Sequence, residues 1–188
     1  PVCVDPVGAR SVMATAKKAE GMGLSIVTGT QRRHQRDYVA NWQQVAQGAI
    51  GELTGGNVYW NGGKLWHRDN NPKWSEMEWM IRDWVNWTWL SGDHIVEQHV
   101  HNLDVMNWFF GTHPVKAVGM GSRLRRVTGD QYDNFSIDYT FENGVHVHSM
   151  CRQINGCANS VSERLQGSKG STNCQSTILN LAGEEIWK

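Results

Sequence analysis

Phe135-Ser136-Ile137-Asp138-Tyr139-Thr140-Phe141-Glu142-Asn143-Gly144-Val145-His146-Val147 decides the fold class. Four apolar residues alternate with polar ones, the period of a strand with one buried face. Asn143-Gly144 then predicts a type I′ hairpin, because both central residues of that turn need positive φ. Working outward, Val58/Trp60, Val115 to Leu124, Val161 to Leu165, Thr177 to Leu181 and Glu185 to Trp187 read as further strands of a mostly antiparallel set. Towards the N-terminus the pattern changes. Asp5-Pro6 starts a helix that carries Val12, Met13, Ala16 and Ala19 at helical spacing, with Lys17 and Lys18 in its last turn and Gly21 and Gly23 ending it. Leu24 to Thr28 reads as a buried strand after that helix, the closing half of a βαβ unit. Asp37 is expected to cap a second helix carrying Val39, Trp42 and Val45, and Asp93 a third running to about Phe110. The class is therefore α+β (α/β): a βαβ remnant over residues 1–30, then an open sheet over 31–188 with helices packed on one face.

The composition bounds the function. The 188 residues carry 18 Lys+Arg and 18 Asp+Glu, so the formal charge is zero, which argues against a nucleic-acid partner. No apolar run reaches the roughly 18 residues of a membrane span. The first residues lack the basic and apolar regions of a signal peptide, so a compartment, cytoplasmic or exported, cannot be read from them. The four cysteines show no C-x-x-C spacing and are expected to be free thiols. The start at Pro1 and the stop just after Ile186-Trp187 read as cuts within a longer chain.

The third helix holds the chemistry. His94, Glu97, His101 and Asp104 are spaced i, i+3, i+7, i+10, within an arc of about 80° on a continuous helix. Three readings of this stripe stand open. It is a solvated face with pairs such as Glu97–His101; or His101 is a general acid/base held by Glu97, with His94 and Asp104 beside the substrate; or all four bind a metal, without an H-E-x-x-H spacing to support it. Arg33 and His34, in the basic turn Arg32 to Arg36, follow a strand end where open α/β sheets place ligands, so both are candidate substrate contacts. Residues 61–90 hold six tryptophans among polar neighbours. They either fill a core or form a wall on which pyranose rings stack, with Trp66 and Trp84 as candidates. No glycine-rich phosphate loop follows a strand.

Several stretches together resemble the glucose-fructose oxidoreductase / inositol dehydrogenase (Gfo/Idh/MocA) family, in order and over nearly the whole chain. Pro1-Val-Cys-Val-Asp-Pro6 resembles the stretch after that family's Glu-Lys-Pro motif. Leu24 to Tyr38, LSIVTGTQRRHQRDY, resembles its last Rossmann strand and the turn into its second domain. Glu97-Gln-His-Val-His101-Asn-Leu-Asp104 is similar to its D-x-G-x-H-x-x-D helix, and Glu163 to Ser171, ERLQGSKGS, to a late strand and turn. The resemblance implies the C-terminal part of an NAD- or NADP-dependent oxidoreductase acting on a secondary alcohol of a sugar or polyol. It also implies a homo-oligomer formed through the open sheet. The family's acid and histidine match Glu97 and His101, with Glu in place of Asp and His99 in place of Gly; its catalytic lysine precedes Pro1. In the complete enzyme His101 would exchange the hydroxyl proton while hydride passes to the nicotinamide. This portion alone is expected to bind no cofactor and to be inactive. A non-catalytic carbohydrate-binding module and a metal-dependent hydrolase or lyase are the competing readings.

Overall fold

A computed structural model describes residues 2–188; Pro1, the first residue of the N-terminal stretch discussed above, lies outside them. Eight strands form one sheet: β1 (Leu53–Gly62), β2 (Lys116–Ser122), β3 (Asn134–Thr140), β4 (His146–Gln153), β5 (Ser160–Gly167), β6 (Gly170–Thr172), β7 (Ile178–Asn180) and β8 (Glu185–Trp187). Their order is β2-β3-β4-β1-β5-β6-β7-β8. Only β1 and β4 run parallel; every other pairing is antiparallel. The α+β class therefore stands.

The alternation in 135–147 places Phe135, Ile137, Tyr139 and Phe141 towards the helices. The turn differs from the type I′ expectation. Gly144 alone has positive φ, and Phe141 N–H donates to the Val145 carbonyl at 2.9 Å across a loop of three residues, 142–144. Asn143 stays on the negative-φ side, so only the glycine takes the left-handed position that a three-residue loop needs.

The helices pack on one face. α2 (Arg36–Ala46) and α6 (Val100–Phe110) cover a core of Tyr38, Val45, Ile50, Val105, Phe109, Leu165, Cys174 and Ile178. A second core of Val58, Met106, Phe141 and Val147 lies beside it, with the Phe110 and Phe141 rings stacked at 4.1 Å. Each such aliphatic or aromatic side chain contributes roughly 1.5–3 kcal/mol by burial. The opposite face is uncovered in the chain, and Val118 and Met120 on β2 are 62% and 80% exposed.

Four local readings need correction. Leu24 to Thr28 is no strand: it pairs with no other strand among the described residues, and Val27 is 87% exposed. An apolar run becomes a strand only where a neighbour accepts its ladder. α1 (Pro6–Glu20) forms as read, with the Asp5 carboxylate accepting from Gly8 N–H at 2.8 Å, yet it buries no residue. Asp37 lies within the first turn of α2, and the cap is Gln35. The third helix is broken into α5 (Asp93–Glu97) and α6 at Gln98-His99, and Asp93 does not cap it. Asp93 follows Gly92 in the left-handed region, φ 68°. Its carboxylate accepts from His94 N–H at 2.6 Å and Tyr132 N–H at 2.9 Å, which anchors the turn to the sheet. All four cysteines are free.

Candidate active site

The break after Glu97 divides the stripe. His94, on α5, is 1% exposed; its Nδ1 lies 3.1 Å from the Asp93 carboxylate and its ring packs on Phe135. It is set in the core, on a different helix from His101. Asp104, on α6, takes a forked contact from Arg33, with Nε and Nη2 donating at 2.8 and 2.9 Å, and the Arg33 guanidinium also lies over Trp108. These two candidate substrate contacts thus engage each other. His34 is exposed at the end of the short turn Gln31–His34. The four residues of the stripe form no metal-binding group among the described residues, so the metal reading loses its geometric basis.

Glu97 and His101, like His94 at its Nε2, each keep a buried atom without a partner. Glu97 Oε2 and His101 Nδ1 are both buried and have no protein partner, and the two side chains do not bond each other. Burial pushes the Glu97 carboxyl above its ordinary range, against the opposing influence of His94. Burial, and then the nearby Arg32 cation, lower the His101 imidazole, with Asp104 opposing. His101 is therefore neutral at pH 7 and able to accept a proton.

The surroundings of His101 come from four other elements. Its ring lies 5.7 Å from that of Trp60 on β1. The Arg32 guanidinium, from the turn Gln31–His34, lies 5.4 Å from the same indole and 5.7 Å from the Tyr38 ring. Arg32 Nη1 is 2.9 Å from Glu163 on β5, a charge contact whose N–H is not aligned as a hydrogen bond. Glu163 accepts from Tyr38 Oη at 3.0 Å and from Asn102 Nδ2 at 2.7 Å. Burial raises its carboxyl, which Arg32 and the two donors oppose, and burial together with that carboxylate raises the Tyr38 phenol. His99 locks α6 onto the sheet: Nε2 pairs with Ser149 Oγ at 2.6 Å and Nδ1 with Asn102 Oδ1 at 3.3 Å. Trp60, Tyr38 and Glu163 escape a sequence reading centred on the third helix, and Arg32 and Asn102 stand in the quoted motifs without a role. One signal was present: Glu163 is a carboxylate at an inward position between Val161 and Leu165.

The tryptophan-rich segment folds upon itself. Within it lie α3 (Glu76–Arg82), the short turn Trp84–Asn86 and α4 (Thr88–Ser91). Trp66 meets Trp84 edge to face at 6.2 Å, and Trp79 meets Trp87 at 5.3 Å. Buried Asp83 joins the segment by accepting from Arg68 N–H at 2.8 Å and Asn86 Nδ2 at 2.9 Å. Trp66 keeps 45% of its surface exposed.

The geometry can be set beside known proteins. No curated protein matches the chain by sequence. Among solved structures, aldose-aldose oxidoreductase from Caulobacter crescentus, complexed with glycerol, superposes with a TM-score of 0.72 at 18% identity, over 97% of this chain and 52% of that one. Myo-inositol 2-dehydrogenase from Lactobacillus plantarum gives 0.67 at 20%, over 97% and 53%. A super-repressor mutant of Gal80p from Saccharomyces cerevisiae gives 0.71 at 15%, over 96% and 49%. The chain thus spans about half the length of these structures, and at such identities they show the fold alone. The model of the GFO/IDH/MocA C-terminal domain matches residues 38–173, most of the chain, and so the chain belongs to that family.

Proposed function

We propose that this chain is the substrate-binding and assembly part of an NAD- or NADP-dependent oxidoreductase acting on a secondary alcohol of a sugar or polyol, with His101 as its proton-transfer residue. The observation that carries the proposal is an imidazole with a buried, unpartnered nitrogen, tilted beside an indole that a guanidinium also approaches. Trp60 offers an apolar face to a sugar ring. His101 accepts the hydroxyl proton as the alcohol is oxidised. Arg32 opposes the negative charge that develops on the oxygen, and Glu163, Tyr38 and Asn102 hold Arg32 in place. Glu97 is a positioning carboxylate whose raised proton affinity keeps it receptive to a hydroxyl donor.

A dinucleotide does not fit this chain's own residues. Its pyrophosphate needs a glycine turn leading from a strand into a helix N-terminus, whereas Gly21 and Gly23 follow a helix and end it. We assign the cofactor to residues beyond this sequence, with 1–30 as the adjoining remnant of that domain and 31–188 as the substrate domain. The hydride step belongs there, and the chain by itself is inactive. The uncovered sheet face, with Val118 and Met120, is assigned to a homo-oligomer.

The test is dehydrogenase activity of the oxidoreductase that contains this chain, against sugars and polyols with NAD and NADP. Activity that falls with His101→Asn supports the reading; activity unchanged by it overturns the role of His101. A non-catalytic sugar binder built on the tryptophan segment is the second reading, because Trp66 keeps 45% of its surface exposed and one fold serves several functions. Sugar binding lost in Trp66→Ala and untouched in His101→Asn would favour that reading.

A further inference from the structure

At the end of the sheet where β1 and β4 finish, a cavity of about 130 Å³ is lined by Lys64, Arg125, Arg126, Gln153, Ile154 and Asn155. Three of the six are cations and none is a carboxylate. Among the described residues, none of the three cations forms an ion pair. Arg126 is 7% exposed, an unusual burial for a guanidinium without a paired carboxylate. It donates through Nη1 to Asn86 Oδ1 at 2.9 Å and through Nη2 to Gln153 Oε1, while its buried Nε has no partner.

The wall is held before any ligand arrives. Asp133 accepts from the backbone N–H groups of Leu124, Arg125 and Arg126, at 3.0, 2.6 and 2.8 Å, fixing the segment that carries both arginines. Lys64 N–H donates to Asn155 Oδ1 at 2.8 Å, closing the other side. The carboxylates whose charge reaches Arg126 are Asp93, Asp133 and Asp83, and Arg123 adds a further cation. None of the three carboxylates accepts a hydrogen bond from the Arg126 side chain; their oxygens accept from the His94 and Tyr132 backbone, from the 124–126 backbone, and from the Arg68 backbone and Asn86 respectively.

We propose that this cavity binds a small oxyanion group, a phosphate or a carboxylate, through Lys64, Arg125 and Arg126. The cavity is large enough for one such group in place of a few waters. The guanidinium and ammonium donors supply charge-assisted hydrogen bonds, the strong kind for such acceptors. The group arrives either as free phosphate or as the carboxylate of an acidic sugar, and its binding does not depend on the dehydrogenase reading.

The test titrates the full chain with inorganic phosphate, D-glucuronate and, as a neutral control, D-glucose at constant ionic strength. Amide NMR shifts at Lys64, Arg126, Gln153 and Asn155 are followed. Saturable shifts with millimolar affinity for an anion, and none there for glucose, are the expected result. Tighter phosphate identifies a phosphoryl ligand, and tighter glucuronate an acidic sugar. The double variant Lys64→Gln/Arg125→Gln, which spares buried Arg126, should weaken binding at least about tenfold, with His101→Asn leaving it unchanged. No saturation, equal affinity in the double variant, or shifts scattered over exposed lysines and arginines (an adventitious ion only) would overturn the proposal.

Discussion

His99 and His101 are two residues apart and do different work. His99 is fully buried and bonded at both nitrogens, with its proton affinity lowered by burial to about 4. Unfolded, it titrates near 6.5, so between these values the unfolded chain binds more protons. Its contribution is complete above pH 6.5 and is lost as pH falls towards 4, by about 3 kcal/mol in all. Urea unfolding at pH 7 and pH 4.5 should show this loss, and His99→Gln should flatten the dependence. Glu163→Leu makes a second test. It leaves the Arg32 guanidinium without its counter-charge and removes the acceptor for Tyr38 and Asn102. A loss of about 3–5 kcal/mol is expected by urea melts, larger than for Glu163→Gln, which keeps an acceptor. His101 was picked out as a candidate because an imidazole and carboxylates repeat at helical spacing, although the helix breaks between Glu97 and His101. Trp60 and Glu163 were not, because the β1–β5 pairing brings residues about a hundred positions apart into one layer.

At the scale of elements, α1 and the α5–α6 break teach different lessons. α1 announces itself through Asp5-Pro6 and the closing glycines, signals that need no tertiary partner. It buries nothing, so deleting residues 2–20 should change Tm by less than about 2 °C, measured by calorimetry. The break at Gln98-His99 could not be read from periodicity, since the polar residues keep helical spacing across it. Its cause is tertiary: Gln98 is held by Gln153 at 2.7 Å and His99 by Ser149, both on β4. The 24–28 run shows the converse, with strand-like composition and no partner to accept it. Within the sheet the alternation of Phe135, Ile137, Tyr139 and Phe141 sets their common face, because a slip of one would expose Phe135 and Phe141 together.

Across the whole molecule, one sheet face is covered by α2 and α6 and the other carries Val118, Met120 and Met150 uncovered. The α+β class was readable from strand alternation plus the helical spacing of apolar residues. The pairing order was not, because the parallel β1–β4 contact joins residues about ninety positions apart. If the open face joins copies, light scattering will report an oligomer, and Met120→Glu will shift it to monomer with Tm of the monomer preserved. An oligomer unchanged by Met120→Glu and Val118→Glu together would move the interface elsewhere. The pH profile of kcat/KM for alcohol oxidation by the oxidoreductase that contains this chain tests the role of His101 most directly. The predicted profile falls off on the acid side below the ordinary imidazole value, and His101→Asn lowers the rate about 10²- to 10⁴-fold and abolishes that limb. A variant that keeps both the rate and the acid limb would contradict it.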